Sequence, residues 1–203
     1  MANCSMPARE LKTAIKNAII PAVVLVIKPN VVMLSRCADM TVNRSCVEIR
    51  KYKAGDETRL FSVFLSAVHD IASCDYTAEQ IQAWAPDDIS PELWADHIRA
   101  LKPFVAEIDG DIAGYADIQP NGYIDHFFVA GHYARQGVGT KLMTRIHESA
   151  KEQGIFELTA DVSKTAEPFF SYHGFQVEER RYPVRRGVTL QNALMRKKLL
   201  PTG

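Results

Sequence analysis

Three short runs between residues 103 and 129 each repeat with a period of two: PFVAEI, IAGYADI and YIDHFFV. Asp109-Gly110 and Asn121-Gly122 separate them. Both dipeptides favour the left-handed backbone of tight hairpin turns, so the runs predict three consecutive antiparallel strands. A chain with this centre has to build outward from a sheet.

The flanking segments change period. After the third run comes HYARQGVGTKL (132–142), a polar turn with two glycines leading into a helix. That helix carries Val138, Leu142, Ile146 and Ala150 on one stripe, and Gly154 stands where a helix would stop. FELTADV then reads as a strand, AEPFFSYHGF as a short helix and turn, and FQVEERRY and TLQNALMRKKL as two further strands. Upstream, VEIRKY alternates like a strand, and Leu60, Phe61, Phe64, Leu65, Val68 and Ile71 recur at helical spacing. Thr77 with Gln80 predicts a capping box, and Ser90-Pro91 a second helix start.

The 203 residues suit one well-buried domain with an extra segment. Twenty-four basic and 24 acidic side chains leave no net charge, which argues against nucleic acid as the main partner. Cys4, Cys37, Cys46 and Cys74 include no CxxC pair and no histidine at a ligand-like interval. Neither a zinc site nor a disulfide framework is expected, and a cytoplasmic, metal-free protein fits. The longest apolar run, AIIPAVVLVI (18–27), is shorter than the ~20 residues a bilayer demands and is read as a buried strand or helix end.

The paired glycines carry the chemistry. A helix N-terminus presents unpaired N–H groups and a partial positive charge, and glycine lets an anion approach the backbone closely. A Walker loop is excluded, because five residues rather than four separate Gly131 from Gly137 and Val138 stands where lysine is required. The dinucleotide pattern GxGxxG also fails, since Leu142 follows Gly137 and Gly139 at the third glycine position. What remains resembles the pyrophosphate loop of the GNAT superfamily of N-acetyltransferases, [Q/R]-x-x-G-x-[G/A]. AEPFFSYHGF resembles that family's downstream A-x-x-F-Y-x-x-x-G-F, and the order of elements is similar over about 47–199.

The resemblance implies an α/β (α+β) GNAT fold: a mixed, mostly antiparallel twisted sheet of six to seven strands with about four flanking helices. It implies acetyl-CoA as co-substrate, a pantetheine arm along Phe127, Phe128 and Val129, and a pyrophosphate on Arg135, Gln136, Gly137, Val138, Gly139 and Thr140. Ser163 and Phe169 complete the implied cofactor contacts. The amine acceptor, on a small molecule or a protein, would take the acetyl group directly from acetyl-CoA while a general base removes its proton, with Asp125 and His126 as candidates for that base. Strand alternation sends those two to opposite faces unless a bulge intervenes.

Two departures matter. Ala134 stands at the loop's usual Gln or Arg. Phe170 stands at the usual tyrosine, whose hydroxyl serves as acid in relatives, leaving Tyr172 as a substitute even though a helix turns it well away. The missing hydroxyl keeps a non-catalytic acyl-CoA-binding or sensing module open as the alternative. Trp84 among Asp70, Asp75, Glu79, Asp87 and Asp88 marks either an acidic, aromatic acceptor pocket or a solvated face. RRYPVRR (180–186), preceded by Glu178 and Glu179, reads as a solvated hairpin. Residues 1–46 lie outside the resemblance to the 47–203 domain. They stand as an added strand, a homodimerisation element, or sequence upstream of a start at Met40.

Overall fold

A computed structural model of the chain describes residues 46–199 and the backbone of residues 22–24. In chain order the strands are β1 (Ala22–Val24), β2 (Glu48–Lys51), β3 (Phe104–Ile108), β4 (Asp111–Ala116), β5 (Tyr123–Ile124), β6 (His126–Val129), β7 (Glu157–Ser163), β8 (Gln176–Arg181), β9 (Val184–Arg185), β10 (Val188–Thr189) and β11 (Asn192–Lys198). The α-helices are α1 (Glu57–Ser66), α2 (Ala78–Trp84), α3 (Pro91–Leu101), α4 (Val138–Glu152) and α5 (Glu167–Tyr172). Nine strands form one sheet in the order β2-β3-β4-β6-β1-β7-β11-β8, with β5 pairing β7, while β9 and β10 form a separate hairpin. The count exceeds the sequence expectation because YIDHFFV is interrupted at Asp125 and because β1 joins the sheet.

The turn and cap chemistry forms as the residues dictate. Asp109 and Gly110 both take positive φ between β3 and β4, as a two-residue hairpin requires. Thr77 and Gln80 complete a reciprocal capping box on α2, and the Ser90 hydroxyl accepts the Leu93 N–H ahead of Pro91. The helix predicted to run from Leu60 to Ile71 is instead α1 followed by a π-helical turn over Ala67–Ile71 and a 3-10 turn over Ala72–Cys74. Ser66, where the pitch changes, accepts the Gly131 N–H at 2.9 Å and donates to Asp70 at 2.6 Å, so the irregular turn grips the loop after β6.

Alternation along β6 sorts its side chains into two cores. Phe128 packs with Phe64, Trp94 and Tyr115 under α1 and α3. Phe127 and Val129 pack with Leu142, Met143, Ile146, Phe169 and Phe170 under α4 and α5. Every β6 residue is buried, as expected of a strand covered on both faces. Helix α4 packs directly over Gly114, which leaves room for it by having no side chain. A Cβ there would meet the Phe128 carbonyl oxygen at 2.8 Å and Val138 Cγ1 at 3.0 Å. The glycine thereby sets the seat of the helix that carries the glycine turn.

Candidate active site

The sheet forks at Asp125. Up to that point β5 runs parallel to β7, with Tyr123 opposite Thr159 and Ile124 opposite Ala160. Beyond it β6 and β7 part, and β1 lies between them, parallel to both, with Ala22, Val23 and Val24 opposite His126, Phe127 and Phe128 and Val23 also opposite Val162. The break is held by Asp117, one residue past the end of β4. Its Oδ1 accepts the backbone N–H groups of Asp125 (3.1 Å) and His126 (2.6 Å), so one buried carboxylate satisfies the amides that the interruption would orphan.

This break changes where the two candidate bases point. Because regular alternation is lost at Asp125, Asp125 and His126 converge instead of facing apart. His97 on α3 joins them, its Nε2 lying 3.2 Å from His126 Nε2 and 3.7 Å from Asp125 Oδ2. The other His126 nitrogen, Nδ1, is 3.2 Å from the Tyr115 hydroxyl. His126 is fully buried, whereas the side chains of His97 and Asp125 retain 15% and 19% exposure, so these two form the accessible end of the cluster.

Burial sets the electrostatics. It lowers His97 to about 4, and it drives His126 well below the ordinary imidazole value, with His97 as a further cause. Asp117 is pushed up to about 7 by burial and then by the neighbouring Asp125, against the pull of its hydrogen bonds. The cluster is therefore neutral imidazoles beside two carboxyl groups near enough to influence each other. His97, Asp125 and His126 are also the one group of three potential metal ligands among the described residues, with donor atoms within 4.8 Å of one another. Their hydrogen bonds already satisfy the facing ring nitrogens without an ion.

The glycine turn follows directly beyond β6. Arg135 and Gly137 take φ values of 64° and 85°, and α4 begins at Val138. Arg135, Gln136, Gly137 and Thr140 are exposed, whereas Val138 and Gly139 are buried against the sheet. A turn with Gly137 exposed at the N-cap thus leads into a 15-residue helix, whose first N–H groups have no partner within the helix. Gly137 meets no atom within 4 Å at its missing Cβ, so its requirement is the positive φ and open access. Nearby, Ser163 ends β7 with its hydroxyl accepting the Ala166 N–H at 3.2 Å, and Phe169 and Phe170 pack on Phe127 at 5.5 and 5.6 Å.

The remaining candidates lie apart from this cluster. Tyr172 is 80% exposed on α5 and stacks edge-on with His173. Trp84 does not stand among the acidic side chains. It is buried edge-on against Tyr76 and lines a small cavity with Ser163, Leu190 and Asn192, because α2 turns its apolar face inward. Asp70, Asp75, Glu79, Asp87 and Asp88 are all exposed, and Asp88 pairs with Arg186 at 2.6 Å. In RRYPVRR, Arg180 pairs with Glu167 and Arg181 with Asp161 and Glu179, so carboxylates neutralise these arginines. Among the described residues no helix is long and apolar enough to cross a membrane.

A forked mixed sheet with a helix-capping glycine turn beside the fork defines an acyltransferase of the GNAT type, and the chain belongs to that family: the acetyltransferase (GNAT) domain model matches residues 72–199. The Escherichia coli protein YafP, described as an uncharacterized N-acetyltransferase, is 36% identical over 152 residues, covering 75% of this chain and 96% of YafP. A GCN5-related N-acetyltransferase from Rhodopseudomonas palustris superposes with a TM-score of 0.73 at 26% identity, covering 80% of this chain and all of that one. The same fold, at 21% identity and a TM-score of 0.61, occurs in the PaiA N-acetyltransferase of Thermoplasma acidophilum solved in complex with coenzyme A, across 75% of this chain and 99% of that one. It recurs in YncA from Salmonella typhimurium, solved with acetyl-CoA, at 19% identity and a TM-score of 0.58 over 78% and 97% of the two chains.

Proposed function

We propose that the chain transfers the acetyl group of acetyl-CoA to a primary amine, with residues 47–203 as the catalytic unit. The observation that carries this reading is the alignment of the β6–β7 fork with the glycine turn at the start of α4. The pyrophosphate rests on the Arg135–Thr140 turn, at the exposed Gly137 and the first turn of α4, where the helix dipole and the N-terminal N–H groups favour negative charge. The pantetheine arm then runs along Val129, Phe128 and Phe127 toward Asp125, and Phe169 closes the apolar side.

In the transfer, the amine nitrogen forms a bond to the thioester carbonyl carbon and the carbon–sulfur bond breaks. The amine loses one proton, and the sulfur leaves as a thiolate. A backbone N–H of β6 supports the oxyanion. Asp125 takes the proton at the vertex of the fork, with His97 beside it and His126 behind as an oriented relay. Phe170 offers no acid and Tyr172 lies too exposed to replace it, so the thiolate departs to solvent. The neutral charge balance and the arginine ion pairs favour an amine acceptor over nucleic acid, and the cysteine pattern favours a cytoplasmic setting.

Acetyl-CoA incubated with the purified chain and a panel of amines, with release of free thiol as readout, tests the proposal. Acceptor-dependent thiol release supports it. Tight acetyl-CoA binding with no turnover on any amine or amine-bearing peptide would favour the sensing module, whose motivating observation is the phenylalanine at position 170.

A further inference from the structure

Ala22–Val24 occupies a peculiar place. A parallel strand usually enters a sheet through a long crossover and pairs along several residues. Here a three-residue strand sits inside the sheet rather than on its edge, with β6 on one side and β7 on the other. Without it, the facing backbone groups of β6 and β7 beyond Asp125 would have no sheet partner, and buried backbone groups need one. The fork is a slot that demands an extended, amide-bearing occupant.

Resting on the acetyl-CoA reading above, we propose that this slot is a strand-binding site with two exclusive occupants, the pantetheine arm of coenzyme A and the chain's own Ala22–Val24. The register supports the exclusion. Ala22 lies opposite His126, at the vertex, and Val24 opposite Phe128, toward the glycine turn, so β1 spans the track assigned to the arm. At ~3.3 Å per residue the strand covers about 10 Å of that track. Pantetheine carries two secondary amides in an extended chain, and these can answer the same β6 backbone groups that β1 engages. An intramolecular strand competes at a high effective concentration, so it lowers apparent cofactor affinity without altering any cofactor contact. The chain is thus self-occluded, and coenzyme A must displace β1 to bind.

The test compares coenzyme A binding to the full-length chain and to its Val23→Pro variant, together with hydrogen exchange of the wild-type chain. Proline removes an N–H and cannot sit within a central strand, so it weakens β1 alone. The expected result is at least tenfold tighter coenzyme A binding by Val23→Pro. In the wild type, saturating coenzyme A should speed exchange in a peptide containing 22–24 while the 126–129 peptide stays protected. Equal, measurable affinities with unchanged exchange at 22–24 would overturn the occlusion and leave the acetyl-CoA reading intact. Failure of both proteins to bind coenzyme A would overturn both. If the variant does not fold, the exchange response of the wild type decides the matter alone.

Discussion

His97 and His126 face each other across 3.2 Å between their Nε2 atoms, one presented by α3 and the other by β6. One ring donates and the other accepts, so the pair is complete when both imidazoles are neutral, and burial keeps them so. Both groups are shifted below the ordinary 6.5, so the pair's contribution to stability is full above that pH and is lost as pH falls below it, the His97 share going as pH approaches about 4. His97→Gln should reduce this acid-side loss to the part that buried His126 contributes, measured by urea unfolding across that range. It should also lower turnover on the order of 10–100-fold, with the KM for acetyl-CoA little changed.

Asp117 titrates in the opposite sense. Its carboxyl rises from 3.8 to about 7 in the folded chain, so the folded state holds a proton that the unfolded state releases. Stability therefore falls as pH rises between those values and levels off above them. The substitution Asp117→Asn keeps an oxygen for the Asp125 and His126 amides and removes the charge. The variant's stability relative to wild type should grow from pH 4 to pH 8 by on the order of a few kcal/mol, as followed by thermal unfolding. Parallel profiles for the two proteins would contradict this.

Asp125→Asn should lower turnover by about 100-fold or more while leaving acetyl-CoA affinity near the wild-type value, because the residue lies at the vertex and not along the cofactor track. The acidic limb of the pH–rate profile should shift or vanish. An unaltered profile would remove Asp125 from the proposed role.

Gly114→Ala tests how the sheet seats α4. The added methyl would press on the Phe128 carbonyl at 2.8 Å and on Val138 and Leu142, and the backbone oxygen cannot move aside as a flexible side-chain end could. A loss of about 1–3 kcal/mol is expected in denaturant unfolding, together with weaker coenzyme A binding as the helix N-terminus is displaced.

The glycine turn was legible because its information is local: glycine spacing, the preceding strand and the following stripe all fall within a short stretch. The caps on α2 and α3 and the hairpin turn at Asp109-Gly110 were legible for the same reason. The break at Asp125 was not, because YIDHFFV keeps its period of two straight through a residue whose backbone is held by Asp117, eight positions earlier. His97 was invisible as a neighbour of His126, since only the packing of α3 on β6 brings the two rings together. Trp84 and its acidic neighbours left a pocket and a solvated face both open in one dimension, and the helical turn decides between them by sending the ring inward and the carboxylates outward. The pairing of Ala22–Val24 with β6 joins segments about a hundred residues apart, and no local pattern encodes it.

The most direct test of the account is acetyl-CoA titration of the wild-type chain and of Gly137→Glu by calorimetry. A side chain at Gly137 is strained at φ 85°, and a carboxylate there would oppose the pyrophosphate at the mouth of α4. Saturable binding by the wild type and at least a 100-fold loss in the variant is the predicted result. Equal affinity in the two proteins would contradict the placement of the cofactor, and with it the proposed reaction.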